Sequence, residues 1–298
     1  MFPAGVAGIR VRRLTLPNGT TLRLAEAGPP EGVPVLLLHG WGASIYMWRD
    51  WFAPLASLGR RALALDWPGH GLSDKPDRDA DYRLESLVAT LRDVLDVERI
   101  TSADVVAQSM GATIALELVL GREPRIRRLA LVNPASFGRI RLQALGRMLS
   151  PPLVDPVLPR LVTRGVVARA HRLVYGDPSR IRERDEDEYW APSQFPAYAR
   201  AMRRLLHEFR WSRAPADLLA ARLRGVREEI LVVLGTKDRL VRDTSGYAAA
   251  LRAAGAPLII REVVDGGHAV NEERPAEVVA LVSPFLTAAL PIGQHGAS

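Results

Sequence analysis

Six short apolar segments rich in β-branched residues, separated by longer helix-patterned stretches, constrain this chain more than any other feature. They are Val33–Leu38, Arg61–Leu65, Ala103–Ala107, Leu129–Val132, Ile230–Leu234 and Leu258–Val264. Several are unbroken apolar runs, such as Pro34-Val-Leu-Leu-Leu38, which suits strands covered on both faces. Helical patterns occupy Leu84–Val97, Met110–Leu120, Thr244–Ala253 and Pro275–Leu290. Strand–helix alternation of this kind predicts an α/β protein with a mostly parallel central sheet flanked by helices. A hairpin precedes it, Arg10–Leu16 and Thr20–Ala25 joined at Pro17-Asn18-Gly19, where Asn-Gly favours the tight turn.

One interval breaks the alternation. From Phe137 to Arg213 no strand pattern is present, and helical fragments are punctuated by Pro151, Pro152, Pro156, Pro159, Pro178, Pro192 and Pro196. That is far too long for a plain connection. The expectation is a helical cap over residues 137–213, inserted into a core formed by residues 1–136 and 214–298. Its apolar residues Phe137, Leu145, Met148, Leu149, Leu153, Leu158, Leu161, Phe195, Tyr198, Met202 and Trp211 are expected mostly to form the cap's own core, the rest facing substrate.

The chain has no cysteine, which excludes a disulfide framework, a thiolate metal site and a thiol nucleophile. No cofactor and no metal are implied, since no His/Asp/Glu group has ligand spacing. Of 40 basic residues only Lys75 and Lys237 are lysines, and the net charge is +7. The excess lies between Phe137 and Arg227, where 18 arginines face 9 acids. The two signs interleave there, as in Arg180-Ile-Arg-Glu-Arg-Asp-Glu-Asp-Glu188, and no nucleic-acid motif accompanies them. A solvated helical surface is the reading, with an anionic substrate or a lipid aggregate also suited by the charge. The first nine residues precede the basic cluster Arg10, Arg12, Arg13, the reverse of a signal peptide, and no stretch suits a membrane span. A cytoplasmic protein is expected.

The chemistry concentrates in Val105-Val-Ala-Gln-Ser-Met-Gly111, where an apolar strand runs into a serine and then a helix. This resembles the nucleophile elbow of the α/β-hydrolase superfamily, in which residues two before and two after the serine must be small. Here they are Ala107 and Gly111. The block Asp66-Trp-Pro-Gly-His-Gly-Leu-Ser-Asp74 resembles that superfamily's Asp-x-x-Gly-x-Gly-x-Ser turn, and His39-Gly-Trp-Gly42 its His-Gly-x loop. The resemblance spans nearly the whole chain outside the insertion.

It implies a triad in the order serine, acid, histidine, with Ser109 as nucleophile. His268, in Asp265-Gly-Gly-His-Ala-Val270, follows the last strand and becomes the base. His39 and His70 come too early in the chain, His171 and His207 lie in the insertion, and His295 is in the tail. Asp238, after Leu231-Val-Val-Leu-Gly-Thr-Lys237, becomes the acid, with Asp243 as a distant second and otherwise a helix N-cap. Some relatives carry the acid after the preceding strand, but Asn133 stands there and cannot bear the charge. The resemblance also implies an oxyanion hole from the backbone N–H groups of Met110 and Trp41. Asp66, His70 and Ser73 are expected to be scaffolding, and His39 a hydrogen-bonded loop residue.

Epoxide hydrolases and haloalkane dehalogenases of this fold use an aspartate at the elbow, so Ser109 argues against both. C–C bond hydrolases use serine but typically carry a Ser-Gly-Pro-Gly-like loop after His-Gly. Trp41-Gly-Ala-Ser44 is closer to the esterases and cofactor-free haloperoxidases. The expected activity is carboxylic ester hydrolysis on a small-molecule ester or acyl substrate, with a homodimer allowed. A C–C hydrolase, another acyl-transfer enzyme or a triad-bearing ligand receptor with little turnover is the alternative.

Overall fold

The structure, a computed structural model, describes residues 1–140 and 143–289. His295 and Leu290 lie outside the described residues. In chain order the core opens with β1 (Arg10–Thr15), β2 (Thr21–Ala27), β3 (Pro34–Leu38), α1 (Phe52–Ser57), β4 (Arg61–Leu65) and α2 (Leu84–Val97). It continues with β5 (Ala103–Gln108), α3 (Ser109–Leu120), β6 (Ile126–Val132) and β7 (Arg139–Ile140). Helices follow: α4 (Gln143–Leu149), α5 (Leu158–Leu161), α6 (Arg164–Val174), α7 (Glu183–Trp190), α8 (Pro196–Glu208) and α9 (Ala216–Leu223). The chain then returns through β8 (Glu229–Gly235), β9 (Val241–Arg242), α10 (Thr244–Ala253), β10 (Leu258–Val263), α11 (Val270–Glu273) and α12 (Pro275–Thr287).

Eight strands form one sheet in the order β1-β2-β4-β3-β5-β6-β8-β10. The first three pairings run β1–β2 antiparallel, β2–β4 antiparallel and β4–β3 parallel; from β3 onward every pair is parallel. The apolar runs are continuous because both faces are covered. Leu36, Leu38, Val105 and Ala107 pack into one layer of core. Val35, Leu37 and Val106 pack into the other. Parallel strands all end on the same edge, so the loops after β3, β5, β6, β8 and β10 converge there, the usual place for a ligand in such sheets.

The α/β architecture with a mostly parallel sheet is as expected, and the differences are local. Helix α3 begins at Ser109 itself, and β10 stops at Val263, leaving Val264 exposed. Within the stretch expected to lack strands, β7 pairs antiparallel with β9 as a separate two-stranded ribbon. Two residues are too few for any strand pattern to register. Of the apolar residues expected mostly to be core between 137 and 213, Phe137, Tyr198, Met202 and Trp211 are buried, while Leu145, Met148, Leu149, Leu153, Leu161 and Phe195 are exposed. For α4 and α5 the reason is geometric: they pack mainly on α8, which leaves their other sides uncovered. No described helix is long and apolar enough to cross a membrane.

Candidate active site

Ser109 sits at the turn from β5 into α3 with φ +52°, a conformation that side chains other than glycine rarely adopt. The turn is held by close packing. A Cβ on Gly111 would stand 2.6 Å from the Leu38 carbonyl oxygen and 2.7 Å from that of His39. One on Gly40 would meet the Gln108 side chain at 2.3 Å and the Ser109 Cβ at 2.9 Å. Glycine at 40 and 111 therefore lets the loop after β3 lie directly on the elbow, which explains the need for a small residue two positions after the serine.

His268 reaches this serine from the loop after β10: its Nε2 is 2.8 Å from Ser109 Oγ. Its Nδ1 is 2.7 Å from Asp238 Oδ2. A carboxylate can only accept, so Nδ1 carries the proton and Nε2 offers its lone pair to the serine hydroxyl. The other carboxylate oxygen, Oδ1, accepts from the backbone N–H groups of Leu240 at 2.9 Å and Val241 at 2.8 Å, which fixes the Asp238 rotamer. All three side chains are nearly buried. Asp243 goes elsewhere: it begins α10 in a left-handed conformation, its side chain caps no N–H, and it pairs with Arg213 at 2.9 Å.

Met110 follows the serine in the first turn of α3, where helix N–H groups have no partner within the helix. Trp41 lies on the loop after β3. Its indole donates to the Met202 carbonyl at 3.2 Å and meets the Trp211 ring edge-on, tying that loop to α8. The Tyr198 hydroxyl adds a bond to the Gly42 carbonyl at 3.3 Å. Met202, Trp211 and Tyr198 thus border the Trp41 loop, and Trp41 itself remains exposed.

The Asp66–Asp74 block is scaffolding, as expected. Asp66 accepts from the N–H of Ile45 at 2.7 Å and of Leu72 at 3.0 Å, and Ser73 Oγ donates to the Asp66 carbonyl at 2.6 Å. His70 Nε2 accepts from the Gly42 N–H at 3.1 Å, and His39 Nε2 from the Trp67 N–H at 3.3 Å. Burial lowers the pKa of both histidines, and in His70 the neighbouring His39 ring adds to the effect. Both act as neutral acceptors.

Three residues that sequence reasoning passed over hold the histidine loop. The Gln108 amide donates to the His268 carbonyl at 3.0 Å. The Asn133 amide donates to the same carbonyl at 3.0 Å and to that of Gly267 at 2.8 Å, while its oxygen accepts from the Gly235 N–H at 2.9 Å. Asn133 therefore ties the loop after β6 to both the histidine loop and the strand leading to Asp238. Glu273 accepts from Gly267 at 2.7 Å and from Gly176 and Asp177 at 2.9 and 2.8 Å, clamping the end of α6 to the histidine loop. Gly267 permits that approach, since a Cβ there would lie 2.2 Å from the Gly176 nitrogen.

The sequence model of the alpha/beta hydrolase family matches residues 35–281. The chain belongs to that family. It is 28% identical over 283 residues to 2-hydroxymuconate semialdehyde hydrolase of Pseudomonas sp. (strain CF600), covering 94% of this chain and 95% of that one. It is 26% identical over 322 aligned positions to epoxide hydrolase A of Mycobacterium tuberculosis, covering 94% and 98%. Among solved structures it is similar to 2-hydroxy-6-oxo-6-phenylhexa-2,4-dienoate hydrolase from Rhodococcus sp. strain RHA1, with a TM-score of 0.75 at 21% identity over 94% of this chain and all of that one. Hydrolase chemistry goes with this membership, and the bond attacked differs among the relatives.

Proposed function

We propose that this alpha/beta hydrolase cleaves carboxylic esters through an acyl-enzyme on Ser109. The observation that carries the reading is the unbroken chain of hydrogen bonds from Asp238 through His268 to Ser109, aimed at a serine held in a strained turn. Ser109 Oγ attacks the ester carbonyl carbon as His268 Nε2 takes its proton. Asp238 keeps the ring oriented and offsets the positive charge that forms. The N–H groups of Met110 and Trp41 donate to the developing oxyanion. When the tetrahedral intermediate collapses, the C–O bond to the leaving group breaks and His268 returns the proton to the departing alkoxide. Water then attacks the acyl-enzyme, His268 again taking and giving a proton, and the carboxylic acid leaves with the serine hydroxyl restored.

Residues 137–213 serve in this reading as a cap over the acyl site. The groups around Trp41, namely Met202, Trp211 and Tyr198, suit an uncharged acyl chain, and Arg203 on the same helix is committed to Asp155. A serine at the elbow supports acyl transfer over epoxide or haloalkane opening. A second reading, C–C bond hydrolysis, is favoured by the full-length similarity to 2-hydroxymuconate semialdehyde hydrolase and to 2-hydroxy-6-oxo-2,4-heptadienoate hydrolase of Pseudomonas putida. Hydrolysis of p-nitrophenyl esters from acetate to palmitate, with Ser109→Ala alongside, separates the two when set against a 2-hydroxy-6-oxo-dienoate. Serine-dependent turnover preferring the esters supports the proposal. Silence on all esters with turnover of the dienoate replaces it with the second reading.

A further inference from the structure

The twenty residues from Gln143 to Val162 do not contain one buried side chain, although the segment is mostly apolar. Leu145, Met148 and Leu149 on α4 are 43%, 69% and 67% exposed; Leu153, Val157 and Leu161 are 89%, 45% and 59% exposed. The three on α4 are spaced i, i+3, i+4 and share one face. The opposite side is fastened to α8. A Cβ on Gly146 would touch Leu206 at 3.2 Å, and the Arg147 guanidinium donates to the carbonyls of Leu206 at 2.8 Å, His207 at 3.1 Å and Phe209 at 3.4 Å. Asp155 forms a two-point pair with Arg203. The apolar side chains are thus presented outward by a segment anchored from behind. A folded water-soluble protein rarely leaves so large an apolar patch uncovered without a use for it.

Charge indicates what covers it. Between Arg139 and Gly176 the sequence has seven arginines and a single acid, Asp155, which is already paired. Arg139, Arg160 and Arg169 are exposed and make no ion pair among the described residues. Exposed leucine and methionine with unpaired arginine in the same stretch of chain match a surface with an apolar layer beneath anionic headgroups. A second copy of the same face would bring like charges together. Nucleic acid offers the phosphates but no layer to receive the leucines.

We propose that the Gln143–Val162 face docks on an anionic lipid surface, seating its apolar side chains among the acyl chains and its arginines among the headgroups. Since α4 and α5 pack on α8, which carries Met202 and Tyr198 beside the Trp41 loop, docking places the helix over the site next to the lipid. The inference stands whatever bond Ser109 attacks.

The test is co-sedimentation of the full chain with vesicles of phosphatidylcholine alone and of phosphatidylcholine with about 30% phosphatidylglycerol. Binding to the anionic vesicles is expected to be about tenfold or more tighter than to the neutral ones, and to be released by salt near 0.5 M, roughly where screening removes headgroup attraction. Leu149→Asp with Leu153→Asp should weaken it about tenfold or more, as should Arg160→Glu with Arg169→Glu. Unchanged thermal melts of both pairs exclude unfolding as the cause. Absence from the anionic vesicles, or equal binding by both variant pairs, overturns the proposal. So does a dimer in sedimentation velocity that Leu149→Asp with Leu153→Asp dissociates, which assigns the face to a second copy, or retention on nucleic acid without retention on vesicles.

Discussion

The loops around Ser109 and the segment from Gln143 to Val162 both hang from the same edge of the molecule, yet they are built by opposite rules. Around the serine every polar atom of the triad has a partner, and Gln108, Asn133 and Glu273 fasten the histidine loop from three directions. No side chain of the Gln143–Val162 segment is buried, and its anchors to α8 are few, chiefly arginine contacts and the bond between Ser150 and His207. Reaction geometry needs many mutually consistent constraints, because small displacements of a base from its nucleophile are costly. An interaction surface needs exposed area and charge, and loses little from being loosely fastened. Substitutions should therefore be severe in the first region and nearly silent for stability in the second.

The largest effect belongs to Ser109→Ala, expected to lower kcat by about 10⁴–10⁶-fold with the fold intact, measured as steady-state ester hydrolysis beside thermal melts. Asn133→Ala comes next. It leaves the Gly235 N–H without its acceptor and takes a donor from the Gly267 and His268 carbonyls, all buried, so stability should fall by about 2–4 kcal/mol in denaturant unfolding. A kcat falling more than KM rises would mark a positioning role, whereas a purely structural one would leave the folded fraction's kinetics unchanged.

A smaller effect follows from pH. His39, His70 and His171 are buried, and burial holds the pKa of each below its ordinary 6.5. Below pH 6.5 the unfolded chain binds protons that the folded chain does not, so stability is lost as pH falls through that value and is level above it. Each histidine contributes up to about 1.4 kcal/mol per pH unit, read from melts across the mildly acidic range. Stability that stays level down to pH 5, or about there, would mean that these rings are not held neutral. The smallest effect is that of Leu153→Asp, expected to change stability by less than about 0.5 kcal/mol. A loss of more than about 2 kcal/mol would show that the side chain is covered in solution and would erase the contrast between the two regions.

What the sequence disclosed differs between the regions for a physical reason. Strands β3 to β6 and β8 were legible because strands buried on both faces are mostly apolar, whereas β10, an edge strand with Arg261 and Glu262 exposed, was legible from its β-branched residues. Ser109, Asp238 and His268, which the structure joins in one hydrogen-bonded chain, could be singled out because the proposed chemistry limits the residue types and the family resemblance supplies their order. Gln108, Asn133 and Glu273 left no signal. Each bonds backbone atoms, so no side-chain complement marks the partner, and the partners of Gln108 and Asn133 lie more than a hundred residues away. Asn133 was noticed only as a residue that cannot bear the acid's charge, while its amide pins the His268 loop. The exposed leucines were misjudged because hydrophobicity shows what water disfavours and not whether the fold supplies a cover. The β7–β9 ribbon is too short to carry a pattern.

The most direct measurement is an acid quench in the first turnovers with p-nitrophenyl acetate, followed by mass analysis of the peptide that contains Ser109. An acetyl group on Ser109 in the wild type, absent in Ser109→Ala, is the expected result. Turnover without acylation of Ser109, or acylation at another residue, would contradict the assignment of Ser109 as the nucleophile.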